Sequence, residues 1–226
     1  PRAARPRPAA ITVSLHGSLA FTGIGHGSDR AIMLGLAGEH PQTVDPDAMD
    51  EIVARIRQTG TVSPPGHPAY RFRPAVDLVL DKKTPLPGHP NGMQFCAYDT
   101  DGQLLLRRIY FSIGGGFVVT GEAFEALRNS SPASADVPWP FADAREMLDM
   151  ARRSGLSIAA MKRANEEVRL PRVNLDRQLD NIWAVMSGCI DRGLAQTGDL
   201  PGGLKVRRRA AAIHAQLTEK WQRNEI

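Results

Sequence analysis

"ITVSLHGSLAFTGIGHGSDRAIMLGLAG", residues Ile11 to Gly38, contains the change of period on which the fold depends. Its first half alternates, with Ile11, Val13 and Leu15 to one side and Thr12, Ser14 and His16 to the other. That period of two belongs to a half-buried strand, expected to run through "ITVSLHGSL". In the second half Ile32, Met33, Leu36 and Ala37 recur at helical spacing. Ser28 or Asp29 stands where an N-cap is expected, and Gly38 where the helix should stop. Between the two lies Gly25-His26-Gly27-Ser28-Asp29. Such a turn either caps the helix or holds His26 in front of a ligand, and spacing leaves both open.

Working outward, a second helix is marked by Asp45 as cap, Pro46 at its first position, the stripe Ile52, Val53 and Ile56, and Gly60 at its end. Residues 61–75 are rich in proline and glycine and read as loop, followed by a short strand over Val76–Leu80. "PLPGHPNG" is a second loop. "MQFCAYDTDGQLLLRRIYFSI" reads as two strands around Asp99-Thr100-Asp101-Gly102, a hairpin signal. The second strand runs into Gly114-Gly115-Gly116 and leaves as "FVVT". The expectation is an α+β domain with a mixed or antiparallel sheet over residues 11–127, preceded by a disordered or linker segment over 1–10.

Residues 128–140 are rich in Ser, Pro and Ala and read as a linker. Residues 141–226 read as an all-helical segment: "FADAREMLDMARRSG", "SIAAMKRANEEV", "NLDRQLDNIWAVMSGCIDRGL" and "LKVRRRAAAIHAQLTEKWQ". The last of these is cut short by the end of the chain, and apolar helical stripes need partners. Self-association, as a homodimer, is therefore expected.

The chain has 226 residues, of which 42% are hydrophobic and 23% charged, a composition that supports a buried core. The net charge of +4 is concentrated in Arg2 and Arg5 and in Lys205, Arg207, Arg208 and Arg209. Aromatic residues make up 6% of the chain and do not interleave with these basic clusters. The clusters therefore read as solvated surface, and no nucleic-acid partner is expected. Cys96 and Cys189, far apart and outside any metal-ligand spacing, suit a reducing, cytoplasmic compartment. No apolar run approaches the ~20 residues of a membrane span.

Three glycine-marked loops are candidates for chemistry: Gly25–Asp29, Gly88–Gly92 and Gly114–Gly116. Glycine admits positive φ and close approach to a ligand, and a helix N-terminus favours an anion. His26 and His89 add side chains whose ordinary pKa lies near neutrality. Each loop has a plain structural reading as well: a helix entry, a turn histidine before Pro90, a bend at a sheet edge. Dinucleotide-binding, phosphate-loop and nucleophile-elbow motifs do not occur in the sequence.

"GSLAFTGIGHGSDRAIMLGL", "PQTVDPD", "HPNGMQF", "YFSIGGGFV" and "LPGGLKVRRRA" resemble, in the same order, motifs of the iron–sulfur L-serine dehydratases (L-serine ammonia-lyases). The resemblance extends over nearly the whole chain. It implies a β-chain domain like the allosteric substrate-binding domain of some phosphoglycerate dehydrogenases, followed by the beginning of a helical α-chain domain. It also implies conversion of L-serine to pyruvate and ammonia, with a [4Fe–4S] cluster whose iron takes the β-hydroxyl as a Lewis acid. The histidine of the family's Gly-His-Gly-(Thr/Ser)-Asp motif, the base for the Cα proton, falls on His26. Ser28, Asp29, His89, Asn91, Gly114, Gly115 and Gly116 then become candidate substrate contacts, Asp29 through the ammonium or by fixing the His26 tautomer. The three glycines would offer N–H groups to an anion.

The family's serine-rich histidine segment has no counterpart in this sequence, and its cluster cysteines fall beyond residue 226. The expectation is a fragment that holds no cluster and does not turn over serine alone. The rest of the α-chain domain would be its partner. A module that binds serine or another small anion for regulation is the alternative.

Overall fold

The computed structural model describes residues 7–129, 136–200 and 205–223. The chain divides into two compact units, residues 1–131 and 132–226, and each is described by itself.

The first unit is built around β1 (Ala10–Gly17). Val13 and Leu15 are buried on the face predicted from the alternation. The strand stops at Gly17, two residues earlier than expected, because Ser18–Thr22 turns into a short helix, α1. Gly17 has a φ of +56°, and a Cβ there would stand 2.2 Å from the carbonyl oxygen of Pro90. The next amide, Ser18 N–H, donates to that oxygen at 2.9 Å.

Helix α2 covers Ser28–Leu36 and ends before Gly38, whose φ is +94°. Its N-cap is neither Ser28 nor Asp29 but Gly27, left-handed at φ 69°. Only glycine takes that conformation at no steric cost, so Ser28 and Asp29 fall in the first turn. Helix α3 spans Met49–Thr59, starting later than Pro46. Asp45 turns its carboxylate to the amide of Asp47 at 2.9 Å, an Asx turn that competes with helix. Gly60, at φ 64°, closes α3 by donating to Ile56. Ile32, Met33, Val53 and Ile56 bring the buried stripes of α2 and α3 onto Val13 and Leu15.

Residues 61–75, expected as loop, contain β2 (Thr61–Val62) and β3 (Tyr70–Arg71). Phe72, fully buried, anchors this stretch in the core. Val76 and Asp77, expected in a strand, form the end of the single-turn helix α4 (Pro74–Asp77). Pro74 suits its first position, and Asp77 accepts from the Arg73 amide at 2.7 Å. The strand β4 is Leu78–Asp81.

β5 (Asn91–Tyr98) and β6 (Leu104–Gly114) form the expected hairpin. The Asp99 carboxylate accepts from Asp101 at 3.0 Å and Gln103 at 2.8 Å, and Gly102 has a φ of +78°. A two-residue turn, Gly115-Gly116, both at positive φ, returns the chain as β7 (Phe117–Thr120); such turns match the twist of a hairpin. Helix α5 (Gly121–Asn129) follows.

The sheet has seven strands in the order β2-β3-β1-β5-β6-β7, with β4 also on β1. β1 is parallel to β3 and β4 and antiparallel to β5, so it is a mixed sheet in an α+β unit, as expected. Ala9 already donates to Tyr98 at 2.7 Å and Ala10 opens β1, so the sheet begins inside the expected linker 1–10. Residues 1–6 of that segment lie outside the described residues. In the expected linker 128–140, Arg128 and Asn129 finish α5, and residues 130–135 lie outside the described residues.

The second unit is helical: α6 (Ala144–Ser154), α7 (Ile158–Glu167), α8 (Arg172–Ala195) and α9 (Ala210–Gln222). Asp143 and Ser157 cap α6 and α7 with their side chains. The last helix starts after the basic cluster, at Ala210. The preceding residues are held back on Gly198–Leu200 by Arg208 N–H to Gly198 and Leu200 N–H to Val206, both 2.7 Å. Met161 is fully buried, whereas Leu179, Ile182, Trp183, Met186 and Ile190 form an exposed stripe along α8.

Candidate functional site

The register of the sheet brings the three glycine-marked loops to one end. His16↔Gly92 and Gly17↔Asn91 pair the end of β1 with the start of β5, and His16↔Asp81 sets the end of β4 beside them. Gly92↔Phe111 brings the end of β6 to the same edge. Hence the turn after α1, the loop from β4 to β5 and the β6–β7 turn all leave this end.

Direct contacts join neighbouring loops. Ser18 donates to Pro90, and the Lys82 ammonium sits 5.6 Å from the Phe21 ring centre, linking α1 to the β4–β5 loop. Asn91 Nδ2 donates to the Ser112 carbonyl at 3.3 Å, linking that loop to the end of β6.

His26 is exposed on the turn between α1 and α2. Its Nδ1 lies 3.0 Å from the carbonyl oxygen of Thr22. A carbonyl only accepts, so Nδ1 carries a proton, and in the neutral ring the lone pair is on Nε2. The tautomer is thus set by Thr22, not by Asp29. Asp29 instead accepts from Arg57 Nη2 at 3.1 Å, and Arg57 was not among the residues singled out by sequence. Ser28 opens α2 with its amide on Gly23 at 2.8 Å.

His89 has the opposite tautomer. Its Nδ1 accepts from the Asn91 amide at 3.1 Å, which leaves the proton on Nε2. Its ring packs against Phe111 and Phe124, with centroids 6.1 and 5.5 Å away. Gly114, Gly115 and Gly116 all hold positive φ.

Beneath the first turn lies a groove of about 630 Å³ whose lining includes Ile24, Asp29, Met33, Arg57, Arg73 and Leu80.

The alternation of β1 placed His16 on a polar face but gave no hint of its surroundings. It is buried, with Nδ1 at 2.7 Å from the Thr84 carbonyl oxygen and Nε2 at 2.8 Å from Ser14 Oγ. Asp81 Oδ2 lies 3.8 Å from that Nδ1. Backbone N–H groups of Thr84 and Lys83 hold the Asp81 carboxyl below its ordinary pKa, helped by the Thr84 hydroxyl and by His16. The signal that could have been read is "DKKT" after a strand, an Asx-turn pattern.

The two cysteines lie in different units, Cys96 buried in β5 and Cys189 exposed on α8. A four-iron cluster takes about four thiolates. Among the described residues there is no group of three His, Cys, Asp or Glu placed to hold a metal ion. The described residues therefore do not provide the ligand set of the cluster that the resemblance implies. Among them no helix is long and apolar enough to cross a membrane.

This mixed-sheet α+β unit gathers glycine-framed loops and two histidines at one strand end, and loops held by a rigid scaffold are where binding and catalytic residues concentrate. The family of the serine dehydratase beta chain matches residues 2–123, and the chain belongs to that family. It is 43% identical over 203 residues to the L-serine dehydratase of Streptomyces coelicolor, covering 90% of this chain and 44% of that protein. It is 35% identical over 212 residues to L-serine dehydratase 1 of Escherichia coli, covering 92% and 45%. To the L-serine dehydratase of Mycobacterium tuberculosis it is 38% identical over 209 residues, covering 92% and 44%. The chain thus spans a little under half the length of these relatives.

Proposed function

We propose that this chain forms one wall of the active site of an L-serine dehydratase, a cytoplasmic enzyme that converts L-serine to pyruvate and ammonia. The observation that carries the reading is His26 itself, exposed at the loop-bearing end of the sheet with Nδ1 tied to Thr22 and Nε2 open. A general base needs a lone pair within hydrogen-bond reach of its proton, and Nε2 offers one. On this reading Nε2 takes the Cα proton while the Cα–Cβ double bond forms and the Cβ–O bond breaks. The hydroxyl, taking up a proton equivalent to the one removed from Cα, departs as water, and the aminoacrylate tautomerises to an imine that water hydrolyses to pyruvate and ammonia.

Ser28, with the first turn of α2, presents a hydroxyl and amides that the helix itself does not satisfy, suited to the serine carboxylate. His89 Nε2–H and Asn91 offer donors from the second loop, and Gly114–Gly116 shape the third side. Asp29, engaged by Arg57, keeps its second oxygen for the substrate ammonium. The α8 stripe is the surface on which the remainder of the longer protein, its α-chain domain, would pack; the complete enzyme would be a homodimer. The test is His26→Ala in the full-length enzyme. Loss of about two to four orders of magnitude in kcat is expected; near-normal kcat refutes the assignment.

The groove at Arg57 and Arg73 favours a second reading, a regulatory site for serine or another small anion. Calorimetry on this chain separates the two: saturable serine binding without the rest of the enzyme supports regulation.

A further inference from the structure

The β4–β5 loop, residues 82–90, carries His89 and leads directly into Asn91, yet it has no regular secondary structure to hold it. Its placement rests on a small set of contacts. Asp81 Oδ1 accepts from the amides of Lys83 and Thr84, both at 2.9 Å, turning the chain at once after β4. Leu86 lies over Gly92, where a Cβ would come within 2.9 Å of Leu86 Cδ1. The Pro90 carbonyl is held by Ser18.

The remaining polar anchor comes from the buried side chain of His16. The Thr84 carbonyl fixes a proton on Nδ1, and Nε2 pairs with the Ser14 hydroxyl, which can donate or accept. Every polar atom of the ring is thus committed, and one of its two bonds crosses from the central strand to the loop. Gly92, the strand partner of His16, has no side chain, and the apolar Leu86 contact sits beside the polar one. At its start the loop is therefore held to the sheet by a donor from β1 and a hydrophobic contact on β5, while further along Ser18 holds Pro90 and Phe111 and Phe124 pack on His89.

We infer that His16 is a positioning residue: its Nδ1–H holds the β4–β5 loop so that His89 and Asn91 face the end of the sheet that bears His26. The consequence for serine rests on the active-site reading above, whereas the effect on the loop does not. Sites built on loops need such support from rigid elements to keep their geometry.

Two substitutions of similar bulk separate this role from simple burial. His16→Asn keeps an N–H donor close to the Nδ1 position, and His16→Gln moves the amide toward Nε2. In the full-length enzyme, hydrogen exchange of the peptides covering residues 82–92 should quicken about tenfold in His16→Gln, the equivalent of one lost hydrogen bond. In His16→Asn it should stay within about threefold of the parent. KM for serine should rise about tenfold in His16→Gln with kcat changed by less than about threefold, and His16→Asn should restore it. The inference is overturned if the two variants exchange alike, or if the loop in His16→Gln exchanges as in the parent. If the loop loosens as expected but neither His16→Gln nor Asn91→Ala moves KM, the positioning role stands and the assignment of this loop to serine falls.

Discussion

The carboxylate of Asp29 meets the guanidinium of Arg57 at 3.1 Å, joining the first turn of α2 to the last turn of α3. Both charges oppose the helix dipole at their own end, acid at an N-terminus and base at a C-terminus. The pair connects residues 28 positions apart, and both side chains line the groove beside the first turn of α2. Arg57 is half exposed, so solvent screens the attraction. Arg57→Gln should therefore cost about 0.2–1 kcal/mol, shrinking as salt rises, as measured by urea denaturation at low and high ionic strength.

Two glycines at positive φ should respond very differently to a methyl group. At Gly17 the added Cβ would stand 2.2 Å from a backbone oxygen, whereas at Gly27 it meets nothing within 4 Å. Gly27→Ala should lose about 1–2 kcal/mol, the cost of a left-handed alanine. Gly17→Ala adds a clash with backbone that cannot swing aside and should exceed about 3 kcal/mol. Denaturation midpoints give the ranking, and loosening of Ser18 from Pro90 should appear as faster amide exchange at Ser18.

Asp81 should make the first unit acid-sensitive. The Thr84 and Lys83 amides stabilise its ionised form, so its pKa in the folded state lies below the ordinary 3.8. A depressed carboxyl contributes stability that is complete above its unfolded pKa and is lost as pH falls through the folded value. Stability should thus decline below about pH 3.8. Asp81→Asn, which keeps an acceptor for the turn but no titration, should show a shallower decline. Denaturation midpoints of both proteins between about pH 2 and 6 measure the difference.

Phe124 joins α5 to the sheet by covering His89, Phe111 and the backbone of Gly88. Phe124→Ala should cost about 2–3 kcal/mol, below the range for a fully buried ring because the side chain is only partly covered. The resonances of His89 should sharpen as its ring gains freedom, and a spectrum unchanged there would remove Phe124 from its support.

Periodicity alone determined the main elements. The alternation from Ile11 to Leu15 set the face of β1, and the stripes Ile32–Met33 and Val53–Ile56 set the buried sides of α2 and α3. Asp99–Gly102 announced its hairpin, and the glycine motifs marked the loops that the sheet gathers at one end. These features are local: neighbours within a few positions decide them, through side-chain direction and the φ that glycine permits. Where short-range signals competed, the outcome needed the folded chain. Thr61–Val62 and Tyr70–Arg71 are too short to show a period and become strands only because they pair with each other and β1 pairs with Arg71. Val76 and Asp77 look extended by composition, but Pro74 and the Asp77–Arg73 bond close a helical turn.

The site divides in the same way. The residue types were legible: His26 between glycines, His89 before Pro90, Asn91, and the triple glycine. Their roles were not, because a tautomer depends on which carbonyl lies within about 3 Å of a ring nitrogen. Thr22 decides this for His26 from four residues away, and Thr84 decides it for His16 from 68 residues away. Asp29 could be seen beside His26 in the sequence, but the packing of α2 on α3 gives it to Arg57. Local spacing thus determined which side chains this end of the sheet contains. Only the tertiary structure decided which atoms are left open at that end and which hold the loops, because hydrogen bonds and ion pairs follow distance in space, not separation along the chain.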